Sequence, residues 1–266
     1  MGTIFRNILD ALWGSIQEAL SSFDMASNLK IGDAEIGLVN SFWALIQIVA
    51  TGMTIIYFLM ELNRAWLYEG REMTVKTFGT PFIKLAIALG VLSISKKLVS
   101  WILSGCNALI HSAEGMSDYY TKTTSESVFE DVSMWWFVVY VILLVVFILL
   151  SWIIHFVFLY KAVVFKLELL IRLCATPIAL SDIYSGANSL GVRWLKGLFA
   201  MGLYGAMLVL IPKIGGVFVE DIIKQETGLL GISGIIATLG AVIVVPIAEI
   251  GAMSVARQVS KEALGA

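Results

Sequence analysis

The chain has 266 residues, of which 59% are hydrophobic and only 14% are charged, and its mean hydropathy is +0.89. A soluble domain of this length cannot bury so much apolar surface, because its interior is small relative to its surface. The composition therefore excludes a water-soluble globule and predicts that lipid solvates the chain. A net charge of −2 also excludes the general basic field of a nucleic-acid-binding protein.

The first 37 residues are predicted to form an amphipathic helix and a linker. Apolar residues recur there at helical spacing, with polar and acidic side chains between them. The apolar positions are Phe5, Leu9, Leu12, Ile16, Leu20 and Phe23. Such a helix lies either in the membrane interface or against a protein surface, and both interpretations stay open.

Five stretches are apolar enough, and long or nearly long enough, to cross about 30 Å of hydrocarbon as helices. They cover residues 38–60, 78–95, 135–160, 194–219 and 229–250. The third has Trp135, Trp136 and Tyr160 at its ends, as in an interfacial aromatic belt. We therefore predict an all-α fold, namely a polytopic transmembrane helix bundle of about five spans behind the N-terminal amphipathic helix.

The same pattern divides the chain into membrane regions around one hydrophilic segment. Residues 38–111 form a first membrane region, residues 112–133 a polar external loop, and residues 134–266 a second membrane region. The loop is acidic and rich in Ser and Thr, and it is either a partner-binding loop or a plain connector.

Two further apolar stretches are ambiguous. Residues 98–110 are too short to cross, so they form either an interfacial or re-entrant helix or a continuation of the second span. Residues 163–180 have the length, but they belong to a charged helix, 161–183, that contains Lys166, Glu168 and Arg172. Three charges facing lipid are costly, so this helix is predicted to be buried against neighbours or to lie at the interface.

Positive residues in short loops predict the orientation. Basic residues are expected on the cytoplasmic side, and the acidic segment 112–133 then lies outside. The basic segments are those around residues 64–76, 161–172, 193–196 and 257–261. Five spans with the N-terminus outside and the C-terminus cytoplasmic fit this distribution. If residues 163–180 also cross, the count becomes six and half of the topology inverts.

No catalytic residue, cofactor-binding residue or metal ligand set is predicted, because the chain lacks the zinc, nucleophile-elbow and phosphate-loop motifs. The candidate polar cluster is instead made of ionisable residues in or beside the spans: Lys84, Lys161, Lys166, Glu168 and Arg172. Glu168 and Arg172 are four residues apart and share a helix face. These groups either line an ion or proton path or form a structural network of ion pairs, and we favour the network.

Deep carboxylates are not expected in the five spans, and Glu249 is expected at an interface near the end of the last one. Small residues one turn apart let helices approach closely in lipid. The candidate packing residues are Gly197, Gly202, Gly205, Gly231, Gly234 and Gly240. They predict tight helix association, either within the chain or between copies.

The segment from Glu168 to Leu208 resembles the TrbL-like family, the polytopic inner-membrane subunits of type IV secretion and conjugation machines. The resemblance rests on an apolar helix that ends in Thr176-Pro177, a polar turn, the pair Arg193-Trp194, and a span rich in Gly and Ala. In that family an Ala-Pro element precedes a turn and a Trp that opens the next span. The resemblance covers about forty residues.

The resemblance implies a non-catalytic subunit of the inner or cytoplasmic membrane that helps to build a translocation channel. It also implies several copies, contact with secretion ATPases and pilus or channel components, and transient contact with DNA or protein cargo. Two alternatives stay open from the residues: a self-contained small transporter or ion channel, which predicts a buried carboxylate or an internal repeat, and an accessory structural membrane protein.

Overall fold

A computed structural model describes most of the apolar part of the chain. The described residues are 29–68, 75–114, 134–183, 189–226 and 232–265, together with residues 8, 11, 12 and 15. The predicted N-terminal amphipathic helix and most of the polar loop 112–133 lie outside the described residues.

Within those residues every regular element is a helix, which confirms the predicted all-α class. The helices are α1 (Asp33–Tyr68), α2 (Val75–Glu114), α3 (Met134–Leu180), α4 (Leu190–Glu226) and α5 (Ile232–Leu264). Long apolar runs explain their length, and each of the four prolines lies inside one of these helices, where it removes a single backbone donor without dividing the helix.

Four of the described helices contain segments long and apolar enough to cross a bilayer. These segments are Asp33–Leu67, Val141–Leu180, Leu190–Val219 and Ile243–Leu264. In the first two, only 17% and 22% of the most apolar window is buried by protein, so most of that surface needs lipid or another chain as cover. The chain is therefore a multi-pass membrane protein. The predicted span 78–95 lies in α2, which is not among the four.

Two of the ambiguous stretches are continuations of longer helices. Residues 98–110 extend α2 without a break as far as Glu114, so they do not form a separate interfacial or re-entrant helix. Residues 163–180 likewise continue α3, a single helix of 47 residues, and are not a separate charged helix. The charges that suggested a boundary have partners on other helices: Lys166 pairs with Glu35 on α1, and Glu168 pairs with Arg257 on α5.

The helices divide into two compact units. Unit 1 consists of Met1–Leu29, Ile110–Val164 and Gly205–Ala256. Unit 2 consists of Lys30–Leu109, Phe165–Tyr204 and Arg257–Ala266. Unit 2 thus contains most of α1 and α2, the charged end of α3, the start of α4 and the last turns of α5.

In unit 2, α1 and α2 form an antiparallel pair. Glu61 and Lys84 form an ion pair near the connection between them, and Phe58 meets Phe82 edge to face with ring centroids 5.1 Å apart. Further along, the Gln47 side-chain amide donates to the Leu92 carbonyl at 3.4 Å. The pairings follow one antiparallel register along the two helices.

The charged end of α3 runs beside the first half of α1 in the same direction. Lys166 donates to Glu35 at 3.3 Å, and fourteen residues further along α3 Leu180 shares a buried cluster with Ala50 and Leu92. In the predicted topology the first span starts on the outside, so residue 35 lies outside, whereas Lys166 lies on the cytoplasmic side. The ion pair brings the two residues to the same level, so those two assignments cannot both hold.

A polar turn closes α3 and opens α4. Pro177 lies one turn before the end of α3, where its missing N–H removes a helical hydrogen bond. Ser189 caps α4 by accepting from the Val192 N–H at 3.3 Å, and Asp182 accepts from the Leu190 N–H at the same distance. The turn therefore fixes where α4 begins.

Candidate functional site

Glu168 is the centre of a charged cluster in unit 2. Its Oε1 accepts from Arg172 Nη2 at 3.3 Å on the same helix and from Arg257 Nη2 at 2.6 Å near the end of α5. The side chains of Glu168 and Arg172 are each 21% exposed, whereas that of Arg257 is 45% exposed. One carboxylate thus connects α3 with the last turns of α5.

Arg172 also contacts the start of α4. Its guanidinium lies over the Trp194 ring, 5.6 Å from the centroid, and the Trp194 Nε1–H donates to Thr176 Oγ1 at 3.2 Å. A cation over an indole face is attracted by the ring quadrupole. We call Glu168, Arg172, Thr176, Trp194 and Arg257 the Glu168 cluster.

The helical repeat explains the α3 side of this cluster. Glu168, Arg172 and Thr176 are successive positions four residues apart, so they form one stripe along α3. On α4, Gly197 follows Trp194 by three residues, and a Cβ atom at Gly197 would lie 2.8 Å from Arg172 Nη1. The glycine therefore leaves the space that the guanidinium occupies.

The remaining predicted polar residues have separate partners. Lys84 pairs with Glu61 and Lys166 pairs with Glu35, both in unit 2. Lys161 belongs to unit 1, where its Nζ donates to Ser254 Oγ at 3.2 Å. The structure therefore divides the predicted cluster of five residues, and only Glu168 and Arg172 lie in one contact network.

Among the family-like residues, Trp194 enters the Glu168 cluster and Pro177 and Arg193 do not. Arg193 lies in the first turn of α4 with an exposed side chain, and its N–H donates to the Ser189 carbonyl at 3.2 Å. Sequence reasoning missed Arg257 as a partner of Glu168, because the two are 89 residues apart and no periodicity connects them.

Glu249, expected at a membrane interface near the end of the last span, is buried by protein in unit 1, with 4% of the residue exposed. Its carboxylate lies against α4 at Gly215, where a Cβ atom would collide with Oε1 and would be 2.5 Å from Cδ. The carboxylate is six residues inside the apolar segment Ile243–Leu264. The sequence signal for this contact is Gly215, which leaves room for the carboxylate on the neighbouring helix. That signal could not be used, because the sequence does not say which helices are neighbours.

The packing glycines have different surroundings. A Cβ atom at Gly202 would overlap the Cys106 sulfur, so this glycine allows α4 to approach α2, and Gly205 is buried. Gly240 has no neighbouring atom within 4 Å of a Cβ position among the residues that the structure describes. Gly231 and the surroundings of Gly234 lie outside what the structure describes.

The Glu168 cluster offers charged groups that form ion pairs and hydrogen bonds. In the described part of the chain, no three His, Cys, Asp or Glu side chains come together in a way that could hold a metal ion. The cluster joins a carboxylate with two guanidinium groups, an indole and a hydroxyl, a set suited to joining helices.

No family model, curated protein or solved structure matches this chain in the comparisons.

Proposed function

We propose that this chain is a non-catalytic, multi-copy channel or scaffold subunit of a type IV secretion or conjugative transfer apparatus. It acts in the inner or cytoplasmic membrane with the secretion ATPases and pilus or channel components. DNA or protein cargo contacts it in transit.

One observation carries the proposal. Thr176 and Trp194, which lie on either side of the turn in the segment that resembles the TrbL-like family, are in direct contact, and Arg172 lies on the same indole. Two of the positions on which the resemblance rests thus pack together across the turn, as expected if the resemblance reflects a shared local fold.

The uncovered apolar surface supports assembly into several copies. Ile48 is 75% exposed, Ile171 67% and Trp101 76%, and each lies among other exposed apolar residues on its helix. In lipid such faces gain packing from any helix that offers small residues. Gly240, whose Cβ position has open space around it in the described part of the chain, supplies such a position on α5.

The proposed orientation has the C-terminus in the cytoplasm. The basic residues around Glu168 and in the last turns of α5 favour the cytoplasmic side for that end. Glu35 pairs with Lys166, so this orientation places the start of α1 on the same side.

Gentle solubilisation from the membranes of the native host tests this proposal. The tagged full chain should elute as a homo-oligomer, and mass spectrometry should identify ATPase and pilus or channel subunits with it. Trp194→Ala should weaken that assembly, whereas Phe199→Ala, an exposed aromatic of the same helix, is the matched control. A monomer without secretion partners contradicts the proposal.

Glu249 supports a second candidate, a self-contained proton-coupled or cation transporter. Such proteins place a carboxylate inside the helix bundle, and Glu249 is buried among the helices of unit 1. Purified chain in liposomes should then carry a pH-gradient-driven flux that Glu249→Gln abolishes. Absence of flux in wild-type liposomes removes this candidate.

A further inference from the structure

Helix α3 carries a continuous apolar face that the chain leaves uncovered. Val138, Leu149, Tyr160 and Ile171 follow one another at intervals of eleven residues, about three turns, so they lie on one side of the helix. Each is more than half exposed, and exposed apolar side chains occupy the turns between them on the same side. The face therefore runs from the start of the span into the charged end of α3.

This face is longer than a bilayer can cover. The rise of an α-helix places Val138 and Ile171 about 50 Å apart along the axis. Even at a tilt of about 40°, the upper end of the usual range, only about 39 Å of helix fits in about 30 Å of hydrocarbon. About two turns of the face or more therefore extend beyond the lipid chains.

The end that extends is the charged one. Trp136 and Tyr160 mark the two interfaces in the sequence, and about 36 Å of helix separates them, which suits a tilted span. Val163, Leu167 and Ile171 follow Tyr160, the last of them by about 16 Å, and they are 47%, 55% and 67% exposed. An apolar surface that lies beyond the hydrocarbon and faces no part of its own chain is typical of a protein contact.

The charges of this segment do not belong to the face. By the helical repeat, Lys161, Lys166 and Glu168 lie on its flanks. They are engaged within the chain, with Ser254, Glu35 and Arg257 respectively. The surface left for a partner is therefore uncharged along its whole length.

We propose that Val163, Leu167 and Ile171 form the contact between two copies of this chain, with α3 packed in parallel against α3. A partner must present an uncharged apolar face that continues past the interface for the same distance, and a second copy in the same membrane does so at the same level. A twofold axis normal to the membrane places each of these residues opposite its own copy, so no like charges meet. This inference rests on the proposed multi-copy role and names the face through which copies meet.

Disulfide crosslinking of the full chain in native membranes tests the contact, with Cys106 and Cys174 replaced by alanine. Leu167→Cys or Ile171→Cys should give a covalent dimer on mild oxidation, because a twofold axis brings equivalent residues together. Leu190→Cys is the matched control and should remain monomeric, since Leu190 is 52% exposed in unit 2 but lies on α4. Crosslinking that is equal at Leu190 and on α3, or absent from α3, would overturn the proposal.

Charged substitutions identify the occupant. Leu167→Glu and Leu167→Lys should each weaken the homo-oligomer in detergent about tenfold or more, because like charges would then face each other in an apolar contact. Co-expressed with different tags, the two variants should recover pairing with each other, which also shows that both are folded. Leu190→Glu should leave the assembly unchanged.

The remaining outcomes separate this inference from the proposed function. An assembly that survives both Leu167 variants, or a mixed pair that fails to recover, would overturn the α3 contact and leave the multi-copy role standing. A monomeric wild type would contradict both. Crosslinking of Leu167→Cys to a different protein would overturn the second copy as the occupant.

Discussion

At the scale of single residues, the feature that matters most is one carboxylate shared by two arginines. Glu168 accepts from Arg172 and Arg257, and its own side chain is 21% exposed. Removing one partner of a largely buried ion pair is costly, because the other partner keeps a charge that neither water nor protein compensates. The carboxylate therefore stabilises the junction of α3 and α5 mainly by compensating the arginines.

Glu168→Gln should lower the free energy of unfolding by about 1–3 kcal/mol, since it removes the acceptor charge from both arginines. Adding Arg257→Gln should cost less than the sum of the two single changes, because the residues interact directly. Equilibrium unfolding in mixed micelles measures both effects. Glu262→Gln, an exposed carboxylate that accepts from Gln258 at 2.7 Å, is the control and should be near neutral. Strictly additive losses would show that the contact contributes nothing.

The sequence predicted half of this cluster. Glu168 and Arg172 follow from the helical repeat, because residues four apart must share a face. Arg257 does not follow, since contacts between distant segments depend on which helices are neighbours. The burial of Glu249 by protein was not predicted for the same reason: hydropathy reports depth along a helix but not which face is covered by protein.

At the scale of helices, glycines decide where two backbones approach. A side chain at Gly202 would overlap the Cys106 sulfur, so the contact of α4 with α2 depends on both residues. Both lie in unit 2, and Cys106 is 4% exposed. The glycine stripes on the spans predicted close packing, which Gly202 shows within the chain, whereas Gly240 has no neighbour within 4 Å of its Cβ position among the described residues.

Gly202→Ala should destabilise the protein by about 1–3 kcal/mol, because the new methyl group overpacks this contact. Cys106→Ala in the same chain removes the sulfur and should recover part of that loss. Gly240→Ala is the matched control, since open space surrounds its Cβ position and alanine favours a helix by about 1 kcal/mol over glycine. Thermal unfolding in detergent distinguishes these outcomes. A Gly202→Ala protein as stable as the wild type would contradict the contact.

The length of α2 is a second element-scale result. Sequence hydropathy ended the second span at Ser95 and left residues 98–110 as either a separate helix or a continuation, and the helix continues to Glu114. Leu103 and Ile110 are buried in this continuation. Periodicity within residues 98–110 was too short to distinguish a new helix from an extension.

Spin labels at Ile87 and Leu109, both exposed on α2, should report this continuity. In a chain whose native cysteines are replaced by alanine, 22 residues of unbroken helix separate the backbones by about 33 Å. Pulsed electron resonance measures that distance directly. A distance below about 25 Å would indicate that the helix breaks and folds back.

At the scale of the whole molecule, composition predicted the membrane class and the all-α fold, because four of the described helices are apolar enough to cross. The orientation of the helices in the membrane was harder to predict from the sequence. Counting basic residues assigns sides to loops, but it placed residue 35 and Lys166 apart although they form an ion pair.

Cysteines introduced at Ser127 and Ser185 test the orientation in intact cells. A membrane-impermeant maleimide should label Ser127→Cys from outside, because the acidic central segment is predicted to face out. Ser185→Cys should react only after the membrane is permeabilised, since it follows the basic end of α3. The reverse pattern would invert the molecule while leaving its helices unchanged.

The shared carboxylate also has an electrical consequence. Glu168, Arg172 and Arg257 together carry one net positive charge, which the surrounding helices hold in place. In an energised membrane that is negative on its cytoplasmic side, transferring one elementary charge to the opposite face costs about 2.3 kcal/mol per 100 mV. The transmembrane potential therefore opposes flipping of this end of the molecule, and an uncoupling ionophore would remove that contribution without altering a single contact.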